Sequence, residues 1–438
     1  MRCRVRRAKL FSPFAALMLM TALLPLHGCT TNPVTGERQL MLVSQAQEYA
    51  IGEEQYGPAI QSQGGEYYLD PALTAYIQRV GQKLAAVSDQ PELPYEFVII
   101  NSSIPNAWAL PSGKIAINRG LLTALKDEAQ LAAVLGHEIV HAAARHSAQR
   151  LQQGLLLNVG LAGVGLMVAD NDFRDIILGG ASLGAGLTLA RYGRGHELES
   201  DHYGMQYMAA AGYDPQAAVE LQEIFVELSK GHESNWLEGL FASHPPSEER
   251  VAKNRRHSNS LLVNLPFRGK AEYAKVTAAL RKREPAYKAH DEGVIALQNG
   301  DVAAALEKAN TAIKLEPREA MFHALRGDIY RKQGNEAEAL KNYNRAVELY
   351  PEHYSYLLKR GVTQQELGNN AAAMQDLRQS AALLPTSIAF YAMGEAQLAS
   401  NQPQEAYQSF RIAGQGGGEL GVAARQRATQ LASQLRSR

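Results

Sequence analysis

The chain has 438 residues, with 44 Lys and Arg set against 44 Asp and Glu, so its formal net charge is zero. That length holds two domains with sizeable cores, and nothing in the charge pattern suggests nucleic acid as a partner. The two cysteines, Cys3 and Cys29, exclude a disulfide-built scaffold.

The first nine residues hold Arg2, Arg4, Arg6, Arg7 and Lys9 and no acid. An apolar run from Phe14 to Leu26 follows and ends at Leu26-His27-Gly28-Cys29. It is shorter than the roughly 20 residues of a comfortable membrane span. Residues 1–28 therefore read as a lipoprotein signal peptide, cleaved before Cys29, whose thiol is then lipidated. A short uncleaved anchor, or cleavage without lipid, is the alternative. Several acyl chains anchor a protein stably where one is marginal.

Residues 29–65 read as a linker with an early helix around Ser44–Tyr56, and Pro71–Ser88 as a second helix. Tyr95–Asn101 and Lys114–Asn118 read as strands joined by a segment containing Pro and Gly. Within the second strand, Ile115-Ala116-Ile117 is a candidate edge that would align an extended peptide through main-chain hydrogen bonds. The plainer reading is a small sheet packed on the next helix.

Asp127 to Arg150 reads as one helix, with Leu131, Val134, Leu135, Ile139 and Val140 apolar at helical spacing. It carries His137-Glu138-Ile139-Val140-His141. Two imidazoles four apart share one helical face and can bind one zinc through ring nitrogens. The Glu138 carboxylate is then placed to take a proton from zinc-bound water. A catalytic zinc needs a third protein ligand. Downstream stands His196-Glu197-Leu198-Glu199-Ser200-Asp201-His202. Glu197 as ligand, with Asp201 one turn later, is the preferred reading. Asp201 would hold the distal nitrogen of a ligand histidine and help pass a proton to the leaving amine. Glu199 lies roughly 200° round the helix and reads as solvated or salt-bridged. His196 and His202 are alternative ligands, and a solvated acidic helix start is the plain alternative.

Leu155–Val168 and Ile176–Leu189 are Gly-rich apolar stretches separated by Asp170, Asn171, Asp172, Arg174 and Asp175. They read as two helices near the site, with peripheral membrane contact as the alternative. His244, in Ser243-His244-Pro245-Pro246 with Arg250 beyond, has three readings. It stabilises an oxyanion, fills the open metal position as a latch, or caps the next helix. Arg145 and His146 read as structural partners of the zinc helix.

Gly293, Gly327 and Gly361 recur every 34 residues, as do Ala305, Ala339 and Ala373, Gly300, Gly334 and Gly368, and Pro317, Pro351 and Pro385. This is the tetratricopeptide period. The repeats run from about Tyr287 to Gly418, with a degenerate fourth unit near Gly394 to Ala406 and a tail that reads as a capping helix. Stacked helix pairs make a curved surface for a peptide or protein. The expected fold is thus a mainly α, zincin-like α+β catalytic domain with a small β-sheet (29–265), a joining linker (266–286) and an α-solenoid (287–438).

His137-Glu138-x-x-His141 followed by Glu197-x-x-x-Asp201 resembles the gluzincin metallopeptidases of the HtpX and CaaX-prenyl-protease family. Asn32-Pro33-Val34-Thr35-Gly36 through Val43, and Asn106-Ala107-Trp108-Ala109-Leu110-Pro111-Ser112-Gly113-Lys114-Ile115 leading into Asn118-Arg119-Gly120-Leu121-Leu122, resemble its periplasmic branch. The resemblance implies one zinc held by His137, His141 and Glu197, with Glu138 as general base. It also implies an endopeptidase (hydrolase) acting in protein quality control on misassembled outer-membrane proteins, with the repeats recruiting substrate or assembly machinery. Thr30, where inner-membrane retention would need Asp, favours the periplasmic face of the outer membrane. The rival reading is a latent or non-proteolytic chaperone or assembly factor that uses the repeats as a binding module.

Overall fold

The computed structural model describes residues 29–150, 152, 192–230, 243–261 and 263–436. Residues 1–28, read as a signal peptide, and both Gly-rich stretches lie outside the described residues. So does the Cys29 side chain, although its backbone opens β1 (Cys29–Thr31).

Residues 29–43, expected as linker, instead begin with a hairpin. β1 pairs antiparallel with β2 (Arg38–Leu40), and Cys29 lies opposite Leu40. α1 (Gln45–Ser62) starts in a capping box made by Ser44 and Gln47. α2 (Pro71–Ala85) starts at Asp70, whose side chain accepts from the Leu73 N–H, with Pro at the first helical position.

The sheet has three strands, β3 (Glu96–Ile100), β4 (Ala107–Leu110) and β5 (Lys114–Asn118), in the order β3-β5-β4. β5 runs parallel to β3 and antiparallel to β4. Ile115-Ala116-Ile117 is therefore the centre of the sheet, flanked on both sides and at most 1% exposed. Its main-chain groups serve its neighbours, so it is no edge for a peptide. β3 and β4 are the two edges, and β4 lies in the segment expected only to join two strands. Register turns the main chain of Ala107 and Ala109 away from β5. On that side the Ala109 carbonyl accepts from Ser147 Oγ at 3.0 Å. One sheet face, with Phe97, Ile99, Ile115 and Ile117, joins the main core. The other, with Val98, Ile100, Trp108 and Ala116, packs on α1 through Ile51, Ala59 and Ile60.

After α3 (Arg119–Ala124), α4 (Glu128–Ala143) carries the two histidines. Asp127 caps it by accepting from the Gln130 N–H. The helix is shorter than expected. Ala144 and Arg145 break it, Arg145 with φ 63°. Arg145 is held there by Glu48 and by the Val43 carbonyl. α5 (Arg194–Ala210) lies along α4, and α6 (Gln216–Lys230) and α7 (Glu248–Ser260) complete the domain.

The segment 266–286 is no free linker. Arg268 pairs with Asp127 at 2.7 Å. α8 (Lys270–Val276) buries Tyr273, whose hydroxyl donates to the Leu122 carbonyl at 2.7 Å. α9 (Ala278–Gln298) begins while still docked, Arg281 donating to the carbonyls of Thr123 and Leu125. The catalytic core then continues without a gap into Tyr287 and Phe322 of the repeats.

Four helix pairs follow. α9 pairs with α10 (Val302–Leu315), α11 (Ala320–Lys332) with α12 (Glu336–Leu349), α13 (Tyr354–Glu366) with α14 (Asn370–Leu383), and α15 (Ser387–Ala399) with α16 (Pro403–Ala413). α17 (Gly418–Arg436) caps the stack. The 34-residue period has a steric origin. A Cβ at Gly327, Gly361 or Gly394 would run into Tyr343, Leu377 or Phe410 of the paired helix. Ala305, Ala339, Ala373 and Ala406 are fully buried on the same seams.

Glu319, fully buried, ties the two domains together. It accepts from Tyr287 at 2.6 Å, Asn101 at 3.2 Å and Tyr68 at 3.3 Å. The Arg119 guanidinium lies 3.3 Å from the Tyr287 ring centre. Tyr68 also stacks on Tyr350 at 4.8 Å.

Candidate metal centre

Close approach of α4 and α5 builds the site. Gly136 faces Gly204, where a Cβ would stand 3.0 Å from the His137 nitrogen. That contact sets Glu197, two turns before Gly204, against the two histidines. His137 Nε2 and His141 Nε2 are 3.0 Å apart. Glu197 carboxylate oxygens stand 3.5 Å from the first and 3.4 Å from the second. His244 Nδ1 completes the group, 3.3 Å from His137 Nε2 and 3.1 Å from Glu197 Oε1. The ligand atoms of all four residues lie within 4.8 Å of one another.

These residues fit a metal. Donor atoms on a tetrahedral zinc with bonds of roughly 2.0–2.1 Å stand about 3.4 Å apart, close to the separations found here. Three imidazoles and a carboxylate form a nitrogen–oxygen donor set suited to zinc. The carboxylate of Glu138 lies beside them, with Oε1 3.5 Å from His244 Nε2 and Oε2 buried without a hydrogen-bond partner.

Outer contacts fix each ligand. His137 Nδ1 meets Asp201 Oδ1 at 3.0 Å, which turns Nε2 toward the centre. Asp201 is itself held by Arg250 through two 2.7 Å hydrogen bonds and by Asn254 at 3.1 Å. Arg250 also reaches Glu197 at 2.7 Å. Arg250 and Asn254 thus belong to the site. Reading α7 for a polar face one turn apart could have found Asn254. On the other side, His141 Nδ1 meets His146 Nδ1 at 2.9 Å, and His146 Nε2 lies 3.3 Å from Glu199. Asn32 donates to Glu199 at 3.0 Å, so the N-terminal hairpin closes this chain of contacts. Arg145 and His146 are structural partners, and Glu199 is a paired group off the ligand face. His196 bonds Gln149 and His202 stacks on His257, so neither joins the centre.

The electrostatics follow from burial and neighbours. Burial disfavours a charge on His137, but Glu197 and Asp201 outweigh it and lift its pKa to about 10. Burial lowers His141, keeping it neutral, and raises Glu138. Burial would raise Glu197, yet His244, Arg250 and His137 hold it well below the usual carboxylate range. Asp201 is lowered likewise, with Arg250 overcoming its burial.

A buried donor set of this kind, with an unpartnered carboxylate beside it, resembles a metallopeptidase centre. Comparison narrows the class: residues 71–257 match the model of Peptidase family M48, and residues 290–354 and 331–388 match the tetratricopeptide repeat. The chain is 33% identical over 226 residues to mitochondrial metalloendopeptidase OMA1 of Schizosaccharomyces pombe, covering 50% of this chain and 64% of that protein. It is 30% identical over 197 residues to the β-barrel assembly-enhancing protease of Yersinia pestis, covering 44% and 40%. The protein of the same name from Escherichia coli is 29% identical over 215 residues, covering 45% and 44%. The matches therefore span 40% to 64% of these relatives' own length.

Proposed function

We propose that the chain is a zinc endopeptidase. The observation that carries this is the Glu138 carboxylate, buried and unpartnered at Oε2 beside a complete donor set. A structural metal site has no use for such a group. His137, His141 and Glu197 would hold the ion, which when bound lowers the pKa of its water towards about 7 and polarises a peptide carbonyl. Glu138, its pKa raised by burial, is suited to take a proton and return it to the leaving amine. Asp201 lies behind His137 with its acceptors engaged by Arg250, so it orients the ligand and is poorly placed to donate a proton. His244 takes the fourth donor position, which favours the latch over the oxyanion reading. It would have to swing away for a substrate to enter.

The proposal extends to place and partner. Lipidation at Cys29 would tether the protein to the periplasmic face of the outer membrane. The repeats would recruit substrate or assembly machinery, and misassembled envelope proteins would be the substrate class, a reading supported by the β-barrel assembly in the name of one group of relatives. The test is to purify the mature protein, measure zinc, and follow proteolysis of an unfolded protein by wild type and Glu138→Gln. Zinc near one per chain, with activity lost in the variant, is the expected result. Zinc without activity in wild type, rescued by His244→Ala, would identify a latched enzyme. No zinc in protein purified without chelator would overturn the reading.

A further inference from the structure

Beside the metal centre lies a cavity of about 50 Å³ between α4, α5 and α6. His137, Glu138 and His244 are part of its lining, and Val134, Met205, Met208, Leu221 and Phe225 supply apolar wall. Two side-chain oxygens in this lining are unexplained. Ser200 Oγ, on a fully buried residue, and Gln222 Oε1, on a residue 9% exposed, have no hydrogen-bond partner. Neither caps a helix. Ser200 sits in the middle of α5, where Ala would be the better helix former. An unpaired buried oxygen is a standing loss of stability, and native proteins keep few of them.

Resting on the peptidase reading, we propose that this cavity is the pocket that selects the residue beside the scissile bond. Ser200 and Gln222 make it prefer an uncharged side chain with an apolar stem and a hydrogen-bonding tip. A peptide with its carbonyl against His137 and Glu138 brings the neighbouring side chain to the mouth of this cavity. The apolar wall opposes a charge, and the charged lining groups Asp201 and Arg250 are already paired with each other. The Gln222 carbonyl accepts a hydrogen bond, and the Ser200 hydroxyl donates or accepts one. Asparagine or threonine satisfies them, whereas leucine or valine of nearly the same outline leaves both unpaired.

The experiment uses zinc-loaded full-length protein and two peptide pairs that differ only beside the cleaved bond, Asn against Leu and Thr against Val. The kcat/KM ratio within each pair is expected to favour the polar member by about tenfold or more. The double variant Ser200→Ala, Gln222→Leu should abolish or reverse that ratio. Because the ratio is taken within one enzyme, a general loss of folding or metal cancels. Peptide hydroxamates carrying the same four side chains, titrated by calorimetry, read the pocket without turnover. Both measurements are repeated in the His244→Ala background, so that a latch does not hide the result. A hydroxamate preference without cleavage would retain the pocket and sink the peptidase reading. Equal binding within both pairs, or an aliphatic preference that the double variant leaves unchanged, overturns the pocket.

Discussion

Gly136 and Gly204 meet across α4 and α5 so closely that a Cβ on Gly204 would stand 3.1 Å from the Gly136 carbonyl carbon. The candidate metal ligands of the two helices depend on this contact. Gly→Ala in an open helix gains roughly 0.5–1 kcal/mol. Gly204→Ala is expected to lose stability instead, by about 1–3 kcal/mol, because the helices must part. Parting them also pulls Glu197 from His137 and His141. A fall in melting temperature together with weaker zinc binding in a chelator competition checks this.

Asp201 holds His137 in the tautomer that offers Nε2 to a metal, and Arg250 holds Asp201. Removing such an outer partner costs roughly 10–100-fold in metal affinity or activity. Asp201→Asn should therefore retain the fold and lose zinc affinity within that range. Arg250→Lys should behave similarly, since a single ammonium cannot replace the two-pronged contact. Zinc affinity from chelator competition, beside an unchanged circular dichroism spectrum, separates this from unfolding.

Metal binding should expel a proton. His137 is held protonated in the metal-free site up to about pH 10 by Glu197 and Asp201, against the effect of burial. A ligand nitrogen must be neutral, so zinc displaces that proton at pH 7. Affinity should rise about tenfold per pH unit between pH 7 and 9. For the metal-free protein the sign is opposite. The stabilisation from charged His137 is fully present below its unfolded pKa of about 6.5 and is lost as pH rises towards 10. Calorimetry in buffers of different ionisation heat counts the protons, and a count near zero would refute the assignment.

Glu319 is the junction of the two domains, serving Tyr287, Asn101 and Tyr68 at once. Glu319→Ala takes the carboxylate partner from the Tyr287 hydroxyl and the Asn101 amide and should cost about 2–4 kcal/mol. It should also split a single melting transition into two, one for each domain, in scanning calorimetry. A single transition at an unchanged temperature would show the junction to be dispensable.

The metal helix was legible because two histidines and a glutamate at helical spacing carry their geometry with them. Glu197 and Asp201 were legible for the same reason. The repeats were legible because Gly327 and Gly361 answer to bulky residues a fixed distance along the chain. Strand order was not. Ile115-Ala116-Ile117 alternates no differently in the middle of a sheet than at its rim, and Ala107–Leu110 is too short and too close to proline to announce itself. Arg145 adopts a backbone normally reserved for glycine because Glu48, far away in sequence, holds it. The segment around Tyr273 looked like a solvated joint, since its partner Leu122 lies 151 residues earlier.

The core that runs unbroken from the sheet through Tyr287 to Phe322 leaves the repeats no pivot. If the repeats hold substrate, as proposed, they would act as a ruler laid against the metal cleft. A polypeptide gripped on the solenoid would then reach His137 only through slack of its own, so the span between its gripped part and its loose part would decide whether it is cut. Well-folded clients would be spared for want of slack, with no need to be recognised as correct.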